Sequence, residues 1–306
     1  MIVAVTGGAG FIGSHLTEAL LAQGADVHVI DNLSSGYRVN VPDGAVLHEA
    51  DIRSPHARAV IEGLRPEVVF HLAAQADVQR SIADPAEDAS VNIAGTLNVL
   101  AACREAGARK IVFASTSAVY GNVGKEIVSE RDKAEPVSFY GLSKRTAEQY
   151  IRIYSQLHGL DYTILRYGNV YGPRQTPKGE GGVVAVFLER LRQAASPVVH
   201  GDGEQTRDFV YVKDIVAANL AALTRGSRET LNAGTGRATS VNELLRLLER
   251  CAGVPIERRH VPGRPGDIRH SRLDPRRARR TLRWTAAYDT AGGIAETYAS
   301  TLPSSR

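Results

Sequence analysis

The alternation of two hydrophobic periods through the first half of this sequence constrains its fold more than any other feature. Short strand-like apolar runs at 2–5, 27–30, 46–48, 68–72, 110–115 and 162–166 are separated by helix-period segments at 15–23, 86–106 and 140–158. Parallel neighbours need a crossover connection of about a dozen residues, usually helical. Strand-helix-strand order therefore predicts an α/β fold, a doubly wound parallel sheet with helices on both faces. Beyond residue 166 the alternation fails, glycine and proline cluster over 172–182, and a new helical stretch covers 183–195. A strand at 209–212 and a helix at 214–223 are expected to rejoin the large lobe. The expected organisation is a large domain over 1–168, with 205–224 returning to it, and a smaller interleaved C-terminal lobe from 169–204 and 225–306.

With 43% hydrophobic and 23% charged residues over 306, the chain has apolar material for a large core, and disordered, collagenous and disulfide-scaffold classes are excluded. Cys103 and Cys251 are its only cysteines, too few for a disulfide framework or a thiolate metal centre, so a reducing, cytoplasmic setting is expected. No apolar run approaches the ~18 residues of a membrane span, and the first strand-like run begins without a basic leader. No membrane association is expected. Lys plus Arg exceed Asp plus Glu by 37 to 33, yet ten arginines fall between Arg258 and Arg283. That crowding reads as a solvated helix face or as part of a site for an anionic small molecule. Without a nucleic-acid motif or interleaved aromatics, nucleic acid is not an expected partner.

Gly7-Gly8-Ala9-Gly10-Phe11-Ile12-Gly13 joins the first strand to the first helix in a G-x-x-G-x-x-G spacing. Glycines there permit a tight turn and bring backbone N–H groups at a helix N-terminus up to a pyrophosphate. A plain strand-to-helix turn uses the same residues, so the motif gains its weight from context. Asp31 closes the second strand 18 residues after Gly13, where a carboxylate accepts hydrogen bonds from both adenosine ribose hydroxyls and repels a 2′-phosphate. NAD is therefore expected over NADP. Arg38, the only basic residue shortly after, reads as surface charge.

Tyr140 and Lys144 form Y-x-x-x-K on a helix beginning after Pro136, which puts phenol and ammonium on one helical face. The ammonium favours the phenolate and makes Tyr140 a usable general base, while Lys144 can also hold a nicotinamide ribose. Ser115-Thr116-Ser117 ends the fifth strand, and strand carboxyl ends are where open α/β sheets bind ligands. Thr116 is placed to pass a proton between Tyr140 and a substrate alcohol. A hydroxyl that merely caps the strand end is the plainer reading.

In this order, the glycine turn, Asp31, the hydroxyl-rich strand end and Y-x-x-x-K resemble the extended short-chain dehydrogenase/reductase superfamily. More narrowly, they resemble the UDP-galactose 4-epimerase (UDP-glucose 4-epimerase) family, over nearly the whole chain. The resemblance implies a Rossmann domain that holds NAD through Gly7, Gly10, Phe11, Ile12, Gly13 and Asp31, then through Asn32, Ser34, Ser35 and Gly36. Asp51 and Ile52 correspond to adenine contacts, and Leu72, Ala73 and Ala74 to the floor beneath the nicotinamide half. Asn92 corresponds to a cofactor-pocket asparagine, with Ser115, Tyr140 and Lys144 completing the cofactor set. In the smaller lobe, Asn169 matches the position that meets the nucleotide-sugar diphosphate. Arg207 and Arg264 match two arginines on the UDP diphosphate, a task suited to the guanidinium fork, and Asp267 matches a uridine ribose contact. Gly168 stands where many relatives carry an aromatic, and His200, beside a uracil position, is assigned no chemistry. The resemblance also implies a homodimer through the helices at 86–106 and 140–158, and no metal.

Relatives that share this core oxidise C4 of a nucleotide sugar and then diverge. The 4,6-dehydratases carry Asp-Glu after the threonine and the UDP-glucuronate decarboxylases carry Glu two residues after it, whereas this chain has Ser117 and Ala118. Water elimination and decarboxylation then lack their usual acid/base group, and epimerisation needs none. The resemblance thus implies NAD-dependent 4-epimerisation of UDP-glucose and UDP-galactose through a transient 4-keto sugar, with Thr116, Tyr140 and Lys144 catalytic. Ser271 matches a position bordering the sugar, where a tyrosine blocks a 2-acetamido group and a small residue admits it. UDP-N-acetylglucosamine and UDP-N-acetylgalactosamine are expected as further substrates. A UDP-glucuronate 4-epimerase, with Lys178 seating the carboxylate, is the alternative. A dehydratase, a decarboxylase or a non-catalytic NAD-binding protein fits less well, the last because all three catalytic residues are present.

Overall fold

A computed structural model describes residues 1–177, 182–263 and 269–302 of the chain. Strands β1 (Ile2–Thr6), β2 (Asp26–Asp31), β3 (Val46–Glu49), β4 (Val68–His71), β5 (Lys110–Thr116) and β6 (Asp161–Tyr167) arise from the first half. Short strands β7 (Asn169–Tyr171), β8 (Val198–His200), β9 (Thr206–Arg207) and β10 (Phe209–Tyr211) follow, then β11 (Glu229–Ala233), β12 (Thr239–Ser240) and β13 (Arg259–Val261). The large sheet is parallel throughout, in the order β11-β6-β5-β4-β1-β2-β3. Strand order reverses direction between β1 and β4, and the crevice outside their carboxyl ends is where such sheets bind ligands.

The α-helices are α1 (Phe11–Ala22), α2 (Pro55–Leu64), α3 (Val78–Ala83), α4 (Pro85–Ala89), α5 (Thr96–Ala106), α6 (Phe139–His158), α7 (Val183–Arg192), α8 (Val212–Ala222), α9 (Val241–Ala252), α10 (Arg276–Leu282) and α11 (Thr290–Ala299). Because the sheet is covered on both faces, its strands are near-continuous apolar runs whose alternate side chains enter opposite cores. Val3, Val5, Phe70 and Leu165 pack with Leu16 and Leu20 of α1 and Ile215 and Ala218 of α8. Ala4, Val69, Ile111 and Phe113 pack on the other face with Ile61 of α2, Leu100 of α5 and Ala147 and Ile151 of α6. A third core joins Phe187 of α7, Leu244 and Leu248 of α9, Phe209 and Tyr211.

Two features depart from the sequence expectation. Residues 229–233, assigned with 225–306 to the smaller lobe, instead form β11 at the edge of the large sheet, paired with β6. The run Glu-Thr-Leu-Asn-Ala hides a strand because its buried Asn232 is satisfied by tertiary partners: it accepts from Tyr120 Oη at 2.7 Å and donates to Val128 O at 3.0 Å. The helix expected over 86–106 is divided into α4, a π-helical segment at Ser90–Gly95, and α5. Such wide turns recur at functional sites, and this one carries Asn92. Much of the arginine-rich segment is a solvated face, with Arg258 on Glu249, Arg269 on Asp202, Arg276 on Asp274 and Arg277 on Glu229.

Candidate active site

A cavity of about 550 Å³ opens at the carboxyl end of the large sheet and extends to the smaller lobe. Its wall begins at the glycine turn. Gly7 has φ +74, a conformation that L side chains rarely adopt, and a Cβ at Gly13 would stand 2.1 Å from Gly7 O. Only glycine lets α1 start this close to β1. Gly10 caps α1 without a side chain and no acidic residue occupies the first turn, so the positive end of the helix is left for an anion. Asp31 ends β2, its carboxylate accepting from Ala9 N at 3.0 Å and Leu33 N at 2.8 Å. Burial raises its pKa, with those two N–H groups opposing the shift.

Asn32, Ser34, Ser35, Asp51 and Ile52 continue the wall. Asp51 is held down to about 2, chiefly by the Arg53 guanidinium, and also accepts from Asn32 Nδ2 at 3.0 Å. Gly36 is placed differently: it packs on Ala9 behind the cavity, where a Cβ would meet Ala9 C at 2.8 Å. Asn92 is likewise off the wall, buried beneath it. It accepts from Gln75 N at 2.9 Å and donates to Gln75 O, Asp88 and Ser143 Oγ, which ties the π segment to α6.

Leu72, Ala73 and Ala74 form the floor beyond β4. His71 lies below them, fully buried. Thr96 Oγ1 donates to Asn92 O at 2.7 Å, so it accepts from His71 Nε2–H at 3.0 Å, and His71 Nδ1 accepts from Thr6 Oγ1 at 2.7 Å. Burial, assisted by the Lys144 charge, pushes this imidazole down to about 3 and keeps it neutral.

Thr116, Tyr140 and Lys144 meet on one stretch of the wall. Thr116 caps the 3-10 turn Ser117–Tyr120, its Oγ1 accepting from Ala118 N at 3.1 Å, which leaves the hydroxyl proton to be donated. Ser138 caps α6 by accepting from Gly141 N at 3.1 Å, fixing the first turn that carries Tyr140. Gly141 lets that turn lie against the loop after Thr116, since a Cβ there would stand 2.6 Å from Ala118 O. Lys144 is buried one turn on, its Nζ 4.6 Å from the centre of the Phe113 ring.

The wall continues through Asn169 of β7, Arg207 of β9 and Ser271. Ser271 N donates to Thr206 O at 3.1 Å, which sets Ser271 beside Arg207. Gly168 also lines the cavity, and a Cβ there would meet Asp208 O at 2.7 Å, the physical reason no aromatic occupies it. Arg264, Asp267 and Lys178 lie outside the described residues. Among the described residues no group of three His, Cys, Asp or Glu side chains is arranged to hold a metal, and no helix is long and apolar enough to cross a membrane.

Sequence reasoning passed over Gln175, whose Nε2 donates to Val170 O at 3.0 Å while its Oε1 meets no donor among the described residues. It also passed over the buried pair beneath the catalytic stretch. Glu148, fully buried, accepts from Arg166 Nε at 2.8 Å, Arg166 NH2 at 2.6 Å and Ser115 Oγ at 2.7 Å. The Tyr140–Lys144 spacing extended by one more turn, and a carboxylate on an apolar helix face, are the signals that mark it. Breaking such a pair typically costs about 3–5 kcal/mol. The carboxylate at the end of β2, the open helix terminus and the glycine cradle fit a dinucleotide such as NAD.

The profile of the NAD dependent epimerase/dehydratase family matches residues 3–234. The chain is similar to the UDP-glucose 4-epimerase of Thermotoga maritima solved with UDP-glucose, at 43% identity and TM-score 0.94 over 98% of each chain. It is similar to the Thermus thermophilus UDP-glucose 4-epimerase in complex with NAD, at 42% identity and TM-score 0.92 over 98% of each chain. A UDP-N-acetylglucosamine 4-epimerase from Methanobrevibacter ruminantium, in complex with UDP-N-acetylmuramic acid, aligns at 33% identity and TM-score 0.92, over 98% of this chain and 97% of that one.

Proposed function

From membership of the NAD dependent epimerase/dehydratase family, to which this chain belongs, we propose that it is a UDP-hexose 4-epimerase that interconverts UDP-glucose and UDP-galactose and also accepts their 2-acetamido counterparts. The observation that carries this reading is the single cavity wall joining Asp31 and the glycine turn, then Thr116, Tyr140 and Lys144, then Asn169, Arg207 and Ser271. No carboxylate follows Thr116, where Ser117 and Ala118 also line the cavity, so nothing there supports dehydration or decarboxylation.

Bound NAD supplies a hydride acceptor for the sugar C4 and a donor back to its opposite face, which exchanges the configuration there. Asp31 would hold the adenosine ribose, the α1 N-terminus the pyrophosphate, and Lys144 the nicotinamide ribose. Tyr140 takes the proton of the 4-hydroxyl through Thr116 and later returns it to the ketone oxygen. Lys144, the cation one helical turn on from Tyr140, favours the basic form of the phenol during the first half. Arg207 and Asn169, with Arg264 and Asp267, grip the UDP so that the keto sugar turns over while its diphosphate stays fixed. Ser271, small, leaves room for the 2-acetamido group.

A second copy of this chain is the partner the reading implies. Leu142, Tyr150, Ile153 and Leu157 form an exposed stripe on α6, opposite the face of Tyr140 and Lys144, and a stripe of that kind supports helix-to-helix pairing in a homodimer. Cys103 and Cys251, both free thiols, support a cytoplasmic setting. The test is purified enzyme offered UDP-glucose, UDP-N-acetylglucosamine and UDP-glucuronate separately, with the 4-epimers resolved by chromatography. Conversion of the first two and not the third is expected; conversion of UDP-glucuronate alone overturns the reading.

A further inference from the structure

Glu148 continues the helical face of Tyr140 and Lys144 by one more turn, yet it is fully buried and takes no part in the chemistry above. Its carboxylate is met from three elements. Ser115 Oγ donates at 2.7 Å from the end of β5, the Arg166 fork donates at 2.8 and 2.6 Å from β6, and Arg145 NH1 donates at 3.0 Å from α6 itself. The Arg166 guanidinium also lies 4.7 Å from the centre of the Tyr120 ring, and Tyr120 closes the 3-10 turn that Thr116 caps. The same ion pair therefore grips the Thr116 segment on both sides: through Ser115 before it and through Tyr120 after it.

Packing alone does not call for such a pair. Ala147 and Ile151 already seat α6 on the sheet through apolar contact, and a buried ion pair adds little stability over apolar residues of the same volume. What a two-pronged carboxylate–guanidinium contact adds is a fixed distance and a fixed orientation between the elements that carry it. We propose that Glu148 and Arg166 are positioning residues for the proton relay: their buried pair ties the strand end bearing Thr116 to the helix face bearing Tyr140 and Lys144, and so sets the Thr116–Tyr140 geometry on which turnover depends. This rests on the 4-epimerase reading. Neither Glu148 nor Arg166 lines the cavity, so loosening the pair slows the chemical step and leaves binding of sugar nucleotide and cofactor in place.

The experiment measures kcat, KM and bound NAD for UDP-galactose to UDP-glucose conversion in the wild type, Glu148→Gln, Glu148→Asp and Ser115→Ala. Glu148→Gln discharges the pair at constant shape, Glu148→Asp keeps the charge and shortens the reach, and Ser115→Ala removes one hydroxyl. Since a misplacement of ~1 Å suffices, kcat is expected to fall by roughly tenfold to a hundredfold in the two Glu148 variants, with KM and bound NAD within about twofold of wild type, and by less in Ser115→Ala, which is compared on kcat at saturating NAD because Ser115 also lines the cavity. Should Glu148→Gln fail to fold, the other two variants carry the comparison. Unchanged kcat in every variant that folds, or a loss confined to KM or to NAD content, overturns the proposal. An inactive wild type removes the epimerase reading and this proposal together, whereas an active wild type with unaltered variants removes the proposal alone.

Discussion

Tyr140→Phe removes one oxygen from the cavity wall and leaves the helix, its Ser138 cap and the Lys144 contact with Phe113 as they are. The expected outcome is retained NAD and a kcat lowered by about a hundredfold to ten-thousandfold, read by chromatography of the UDP-sugars. Loss of the fold, seen by circular dichroism, would contradict the assignment of that side chain to proton transfer. His71 gives a prediction in pH. It is pushed down to about 3 in the fold, while an unfolded histidine titrates near 6.5. Between those values the unfolded chain binds more protons, so stability is present above pH ~6.5 and is lost at up to about 1.4 kcal/mol per pH unit as pH falls toward 3. Denaturant melts from pH 7 to 4 should show a shallower loss for His71→Gln than for wild type; an equal slope would mean that His71 is not held neutral. Thr116 and Asp31 were legible in the sequence because each closes an apolar strand run, and Tyr140 and Lys144 because of their Y-x-x-x-K spacing. Gln175 and the Glu148–Arg166 pair were harder to read: Glu148 stands one turn beyond Lys144, but its Arg166 partner comes from another strand, and the turn that carries Gln175 back to Val170 O has no periodic pattern.

At the scale of elements, α6 and the loop after β5 touch only because residue 141 has no side chain. A Cβ there would stand 2.6 Å from Ala118 O, and a backbone atom of a packed turn yields little. Gly141→Ala is expected to push the first turn of α6 away from Thr116 and lower kcat by roughly tenfold or more, with NAD retained. Wild-type turnover in that variant would show the approach to be immaterial to the relay. The same scale marks where sequence periodicity stops. It places β1 to β6 and α6, since their apolar faces repeat, and misses β11, whose Asn232 is buried against Tyr120 and Val128 instead of against apolar neighbours. It also reads through the π segment at Ser90–Gly95, because one wide turn shifts the hydrophobic period without breaking it.

For the whole molecule, the cavity gathers residues from both halves of the chain. The carboxyl ends of the large sheet's strands supply Asp31, Thr116 and the glycine turn, and the chain beyond β6 supplies Asn169, Arg207 and Ser271. Ser271→Tyr is expected to reduce conversion of UDP-N-acetylglucosamine selectively and leave UDP-glucose conversion near wild type, since only the acetamido group needs the space; equal loss on both sugars would place Ser271 elsewhere than the sugar. The central claim is that the hydrogen taken from C4 of the sugar returns to C4 within one closed site, with Thr116, Tyr140 and Lys144 handling only the hydroxyl proton. The most direct test supplies UDP-galactose deuterated at C4 in ordinary water and reads the product by mass spectrometry and NMR. UDP-glucose that keeps the deuterium at C4 is the predicted result, and deuterium lost to solvent would contradict the account.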